Sequence, residues 1–83
     1  MQKILVIDDD EDLRGSVCDV LELNNYESFE AENGAAGVTI ALRTNPDLII
    51  CDVMMPQMNG FEVLELLREN PDFEYTPFIF LTA

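Results

Sequence analysis

Two short apolar runs in the sequence each end in carboxylate side chains. Residues 4–7 are followed by Asp8 and Asp9, and residues 48–51 are followed by Asp52. A continuous apolar run of this length, bounded by turn signals, is typical of a strand that is buried on both faces of a sheet. Because open α/β sheets bind their ligands at the carboxyl ends of the strands, we expect the three carboxylates to share one site.

Three carboxylates at close range predict a site for a divalent cation. Without a partner they repel one another, and the pKa of at least one should rise. A set of oxygen ligands with few protein donors suits Mg²⁺, which keeps several bound water molecules and often also coordinates a phosphate oxygen. A bound Mg²⁺ would keep the carboxylates ionised, screen an approaching phosphoryl group and leave one carboxylate free as a nucleophile.

Simpler explanations exist for some of these residues taken singly. Asp8 and Asp9 could form an acidic cluster that is stabilised by the dipole at the start of a helix. Thr82 follows the last apolar run, so its hydroxyl could donate a hydrogen bond to a phosphoryl oxygen or could simply face solvent. Asp52 is harder to explain structurally, because an unpaired acid directly after a buried strand is costly.

The elements that must position these residues alternate along the chain. Periodicity and turn residues predict strands at 3–7, 26–31, 48–51 and 78–81, with the second strand at a sheet edge. Between them lie helices that run from Asp12 to Asn24-Asn25, over residues 35–43, and from Asn59 to Asn70-Pro71. The order β-α-β-α-β-α-β with short connections predicts one α/β domain with a parallel sheet and right-handed crossovers.

Each predicted helix has an apolar face, and two helices have a recognisable start. Asn33 is a candidate N-cap, and Asn59 with Glu62 has the spacing of an N-cap with its returning acid. The three apolar faces are predicted to carry Leu13, Val17, Val20 and Leu21; Val38, Ala41 and Leu42; and Phe61, Leu64 and Leu67.

The charge balance is strongly acidic, since 17 acidic side chains against 4 basic ones give a net charge of −13. Nucleic-acid binding needs a basic face that neutralises phosphates, so we expect no direct contact with nucleic acid. A cation or a basic partner surface suits this charge better. The chain has no histidine, which excludes imidazole zinc ligands and histidine acid–base catalysis.

Cysteine usage and hydropathy indicate where the chain works. Cys18 and Cys51 both lie in apolar stretches, so we expect buried, reduced thiols rather than a disulfide. The sequence contains no signal peptide and no run that is long enough to span a membrane, so we expect a cytoplasmic protein with no membrane partner.

Taken together, these motifs resemble the receiver domain of two-component response regulators. Each motif falls in the order and spacing of that family, and the resemblance covers the whole chain, residues 1–83. The motifs are Ile4-Leu5-Val6-Ile7-Asp8-Asp9-Asp10, Asp52 after an apolar strand, Met55-Pro56-x-Met58-Asn59-Gly60, and Leu81-Thr82-Ala83. The resemblance implies a flavodoxin-like, doubly wound sheet in which the four strands present follow the order 2-1-3-4.

The resemblance also implies roles for the residues of the site. Asp52 would accept a phosphoryl group from a sensor histidine kinase or a phosphotransfer protein in an Mg²⁺-dependent phosphorelay. Asp9 would bind Mg²⁺ directly, Asp8 would act through water or as a second acidic partner, and the backbone carbonyl of Met54 would complete the ligands. Thr82 would be the hydroxyl that moves toward the phosphoryl group. Such a domain is a signalling module and not an enzyme in the usual sense.

The chain departs from the family pattern after Ala83. A complete receiver continues with a fourth helix, a fifth strand and a fifth helix, and the lysine after that fifth strand has no counterpart because Lys3 is the only lysine. We therefore expect the N-terminal portion of a receiver, either a fragment of a longer regulator or a chain that needs a partner. The apolar fourth strand would be an unpaired edge, through which a homodimer could form.

Two other sequence motifs are incomplete in this chain. Residues 8–12 begin like a calcium-binding EF-hand loop, but Leu13 stands where the sharp turn needs glycine. A dehalogenase-type phosphatase motif fails because Asp12 occupies its fifth position. The remaining alternative is a degenerate or truncated receiver that serves as a docking or dimerisation module without phosphotransfer.

Overall fold

In the computed structural model, which describes residues 1–81, four parallel strands form one sheet in the order β2-β1-β3-β4. The strands are β1 (Lys3–Ile7), β2 (Glu27–Ala31), β3 (Leu48–Asp52) and β4 (Phe78–Leu81). The helices are α1 (Glu11–Leu23), α2 (Gly34–Thr44) and α3 (Gly60–Arg68), and a short 3₁₀ helix (Pro71–Phe73) follows α3. The predicted flavodoxin-like α/β fold and its strand order 2-1-3-4 are confirmed.

The register of the two central strands, β1 and β3, places their carboxyl ends side by side. Ile4 pairs with Leu48, and Ile7 pairs with Cys51. Because the strands are parallel and in this register, the residues that follow Ile7 and Cys51 emerge at the same edge of the sheet. β2 lies at one edge, as predicted, and β4 pairs with β3 at the other. Within residues 1–81 the outer side of β4 has no strand partner, and dimerisation through it stays a prediction.

The two faces of the sheet are covered to different extents. On one face, α2 and α3 enclose a continuous core around Leu5, Ile7, Ile49 and Cys51, none of which is accessible to solvent. On the other face, α1 lies over β1 and β2. Leu48 and Ile50 are therefore only half-buried, so the expectation that β3 is buried on both faces holds for one face alone.

Helix starts follow the predicted cap chemistry. The side chain of Asn33 accepts a hydrogen bond from the Ala36 amide over 2.8 Å, and Asn59 and Glu62 form a reciprocal capping box. Such caps satisfy amides that have no partner inside the helix, and each stabilises the helix by about 1 kcal/mol. α1 begins at Glu11, one residue earlier than predicted, because Asp10 supplies its N-cap.

Each predicted apolar helix face includes at least one residue that is exposed in the structure. The side chains of Leu13, Val20, Leu42 and Phe61 are exposed. Val17 and Leu21 of the predicted α1 face are half-buried and, with the buried Cys18, they pack against the strand residues Ile4 and Val6. Phe61 packs on the surface against the ring of Phe80, with ring centroids 4.8 Å apart.

The segment between α3 and β4 holds a buried residue that periodicity did not indicate. Phe73 is buried in the core beneath the 3₁₀ helix. Arg68 fixes this segment, since its Nη1 donates to the carbonyl oxygens of Phe73 and Thr76. In the described part of the chain, no helix is both long and apolar enough to cross a membrane.

Both cysteines are free and buried, as predicted, so neither thiol should react in the folded protein. Burial raises the pKa of Cys51 to about 12 and also raises the pKa of Cys18, which keeps both thiols protonated at pH 8. We expect iodoacetamide at pH 8 to label either cysteine only as fast as the chain unfolds. The single variants Cys18→Ala and Cys51→Ala assign each label by mass spectrometry. Rapid labelling of Cys51 without denaturant would contradict its position in the core.

Candidate functional site

The three predicted carboxylates meet at the carboxyl edge of the sheet. One carboxylate oxygen from each of Asp8, Asp9 and Asp52 lies within 4.8 Å of the other two. The ladder between β1 and β3 brings this about, since it ends at the pair Ile7 and Cys51. The prediction of one shared acidic site is confirmed.

The loop after β1 is fixed by hydrogen bonds at Asp8 and Asp10. The Asp8 amide donates to the carbonyl of Ala31 at the end of β2, over 3.0 Å. Asp8 Oδ1 accepts from the Asp10 amide over 2.9 Å, and Asp10 Oδ1 accepts from the Leu13 amide over 3.1 Å. The loop therefore passes from strand to helix in one defined path, with Asp9 exposed between two anchored neighbours.

Asp8 is the most constrained of the three acids. Only 1% of its surface is exposed, and its Oδ2 has no hydrogen-bond partner among residues 1–81. Burial raises the pKa of Asp8; the Asp10 amide opposes that rise, and the charges of Asp52 and Asp9 add to it. The expectation that one pKa of the cluster rises is met at Asp8.

Arg14 belongs to the surroundings of the site, although no sequence pattern pointed to it. Its Nη1 donates to the backbone carbonyl of Asp8 over 2.8 Å, and its Nε donates to Glu30 over 2.9 Å. The only sequence signal is that Arg14 is one of four basic residues, five positions after Asp9.

The loop after β3 holds Asp52 in place. The half-buried Asp52 accepts a hydrogen bond from the Met54 amide at Oδ1 over 3.4 Å, and the Gly60 amide donates to the Val53 carbonyl over 2.9 Å. A Cβ atom at Gly60 would lie against the backbone oxygen of Asp52, closer than real contacts allow. Within this loop Gln57 adopts a left-handed conformation, with φ 70°. The Met-Pro-x-Met-Asn-Gly motif thus allows the backbone of Gly60 to approach the backbone of Asp52 and Val53 closely.

The residues present fit a divalent cation. A buried carboxylate oxygen without a partner, facing two further carboxylates, is a site that a hard cation with oxygen ligands would neutralise. Asp8, Asp9 and Asp52 would hold the ion. The backbone carbonyl of Met54 as a further ligand stays a prediction, and Thr82, the predicted switch hydroxyl, lies outside the described residues.

Comparison with known proteins defines the class. The sequence matches the family model for the response regulator receiver domain over residues 4–83. The structure superposes on the chemotaxis protein CheY4 of Vibrio cholerae with a TM-score of 0.94 and 34% identity, covering 96% of this chain and 67% of that chain. For the N-terminal domain of a response regulator receiver protein from Methanoculleus marisnigri JR1 the TM-score is 0.95 at 32% identity, covering 100% of this chain and 68% of that chain. This chain belongs to the response regulator receiver domain family.

The related sequences are longer than this chain. The transcriptional regulatory protein ResD of Bacillus subtilis is 44% identical over 81 residues, which are 98% of this chain and 32% of ResD. The protein PilH of Pseudomonas aeruginosa is 32% identical over 83 residues, which are 100% of this chain and 69% of PilH. The chain therefore spans about a third of ResD, and its four-stranded sheet is incomplete relative to full receivers.

Replacing Asp8 by asparagine should stabilise the metal-free domain. The amide keeps the acceptor for the Asp10 amide, removes a buried charge and offers donors to the neighbouring carboxylates. We expect the free energy of unfolding in urea, with EDTA present, to rise by about 1–2 kcal/mol. Asp9→Asn is the matched control and should give a smaller gain, because Asp9 is exposed. A loss of stability in Asp8→Asn would refute the unfavourable burial of this charge.

Replacing Gly60 by alanine should strain the backbone under Asp52. The new methyl group meets a carbonyl oxygen that cannot move without shifting β3. We expect a loss of about 1–3 kcal/mol in the free energy of unfolding, together with weaker Mg²⁺ binding. Gly15→Ala is the control, since a Cβ there meets nothing within 4 Å, and it should stabilise α1 by up to about 1 kcal/mol. Equal effects at the two glycines would contradict the close approach.

Proposed function

We propose that this chain is a phosphoacceptor, in which Asp52 takes a phosphoryl group from the phosphohistidine of a sensor histidine kinase or a phosphotransfer protein in the cytoplasm. The observation that carries the proposal is the convergence of Asp8, Asp9 and Asp52 at the end of two central strands. Membership of the receiver family supports the same role. The domain acts as a signalling module and not as an enzyme with turnover on a separate substrate.

The proposed chemistry assigns distinct work to the residues present. A carboxylate oxygen of Asp52 attacks the phosphorus atom in line with the bond to the histidine nitrogen, and that nitrogen leaves with the bonding electrons. The Met54 amide donates to Oδ1 of the Asp52 carboxylate, and the close approach of Gly60 fixes the Asp52 backbone while the carboxylate reacts. Mg²⁺, when bound, supplies positive charge that offsets the charge on the phosphoryl oxygens. The acyl phosphate is later hydrolysed, which restores the Asp52 carboxylate.

The response to phosphorylation is proposed to pass through the end of β4. Thr82 directly follows this strand, and we propose that its hydroxyl donates to a phosphoryl oxygen on Asp52. β3 and β4 support this assignment, because Asp52 pairs with Leu81 in their ladder. The hydroxyl would thereby report the state of Asp52 to the surface beyond β4.

A docking module without phosphotransfer is the second candidate. It is favoured by the half-exposed apolar side chain of Ile79 on β4, whose outer side has no strand partner within residues 1–81. Such a module would associate through the sheet edge whether or not Asp52 carries a phosphoryl group. The two candidates therefore differ in one measurable property, which is acceptance of a phosphoryl group.

Phosphorylation should depend on both Asp52 and Mg²⁺. We expect intact-mass spectrometry after incubation with acetyl phosphate to show one phosphoryl adduct on the wild type with Mg²⁺ and none in EDTA. Asp52→Asn should carry no adduct, because the amide is not a nucleophile. Asp19→Asn removes the same charge at an exposed position on α1, and this control variant should be labelled like the wild type. An adduct on folded Asp52→Asn would remove the assignment, and a folded wild type without any adduct would favour the docking module.

A further inference from the structure

Arg14 joins three elements next to the acidic site. It lies in the first turns of α1, and its own amide donates to the Asp10 carbonyl over 2.9 Å. Its guanidinium reaches β1 and β2, donating to the Asp8 carbonyl over 2.8 Å and to Glu30 over 2.9 Å. The side chain is 13% exposed, so it is largely enclosed between the helix and the sheet edge. A planar fork of donors is what allows one side chain to hold two acceptors in fixed directions.

The carbonyl that Arg14 holds belongs to the peptide unit between Asp8 and Asp9. On the amide side, Asp8 still follows the sheet ladder, because its N–H donates to Ala31. β2 ends at Ala31, and the partner of the Asp8 carbonyl is the Arg14 guanidinium rather than a β2 amide. The orientation of this peptide unit fixes the direction in which the Asp9 side chain leaves the backbone.

We propose that Arg14 is a positioning residue for the divalent-cation site, which holds the Asp8–Asp9 peptide so that the Asp9 carboxylate stays close to Asp8 and Asp52. The proposal rests on the Mg²⁺ site of the proposed function and adds a residue that touches none of the three carboxylates. Glu30 is the second anchor of the guanidinium and not a ligand. Its carboxylate pairs with Arg14 at the β2 edge.

A charge effect and a positioning effect of Arg14 would change the Mg²⁺ affinity in opposite directions when the side chain is removed. If Arg14 acted only through its positive charge, removing it from a chain of net charge −13 would strengthen Mg²⁺ binding. If Arg14 acts by holding the peptide unit, removing it weakens Mg²⁺ binding in spite of the extra negative charge. The sign of the change therefore separates the two roles.

The test is the Mg²⁺ affinity of the 83-residue chain, measured by isothermal titration calorimetry at fixed ionic strength. The double variant Arg14→Met/Glu30→Gln keeps the net charge of the wild type and removes the fork; we expect Mg²⁺ to bind it about tenfold more weakly. Glu30→Gln alone keeps the bond from Arg14 to Asp8, and its affinity should stay within about twofold of the wild type. Arg43→Met, the control for charge on α2, should bind no more weakly than the wild type.

A second readout separates positioning from stability. Each variant is titrated with Mg²⁺ at a temperature well below the midpoint of its thermal unfolding. In the metal-free state, NMR follows the hydrogen exchange of the Asp9 and Asp10 backbone amides. We expect faster exchange at these amides in the double variant. If the double variant does not fold, the variant Arg14→Lys tests the proposal in its place. Its single ammonium cannot hold both the Asp8 carbonyl and the Glu30 carboxylate in fixed directions, so we expect Mg²⁺ to bind severalfold more weakly.

Two failures are distinguishable. A double variant, or a folded Arg14→Lys, that binds Mg²⁺ as tightly as the wild type overturns the role of Arg14, even if the unfolding midpoint falls. A wild type that binds no Mg²⁺ overturns the metal site of the proposed function, and the role of Arg14 falls with it.

Discussion

Mutual repulsion among three carboxylates at the end of β1 and β3 is the constraint on which the site depends. Asp8 alone places a buried oxygen without a partner beside two other acids. This burial costs a few kcal/mol, and the apolar strands behind it offset the cost. Leu5, Val6, Ile7 and Ile49 are fully buried, and each contributes about 1.5–3 kcal/mol. The sheet can therefore hold an arrangement that is unfavourable by itself.

The two loops of the site are ordered by different means. After β1, side-chain oxygens of Asp8 and Asp10 accept from backbone amides, so the acidic residues themselves shape the loop. After β3, the close approach of Gly60 to the Asp52 carbonyl and the capping box of Asn59 fix the path. Both loops end at a helix N-terminus, where backbone amides and the dipole favour negative charge. The acidic site thus has a rigid frame before any ion binds.

Local sequence signals predicted the strands, the caps and the meeting of the acids, since each depends on neighbours in sequence or on the common edge of a parallel sheet. They did not predict how much of each helix face is buried. Periodicity groups Leu13 with Val17, but only the packing of α1 on β1 and β2 decides which of them touches the sheet. Phe73 and Arg14 were missed for a related reason. Burial of the first depends on a 3₁₀ turn, and the contacts of the second join residues of three elements.

The environments of the three acids support the proposal that Asp52, and neither of its neighbours, accepts the phosphoryl group. Asp8 is buried, so its carboxylate is inaccessible to a phosphoryl donor. Asp9 is exposed on a loop, and within residues 1–81 its carboxylate accepts no hydrogen bond that would orient it toward a phosphoryl group. Asp52 combines partial exposure with a carboxylate that accepts from the Met54 amide and a backbone that Gly60 holds. One chain thus places three identical side chains in three environments, and the environment of Asp52 supports the proposed nucleophilic attack.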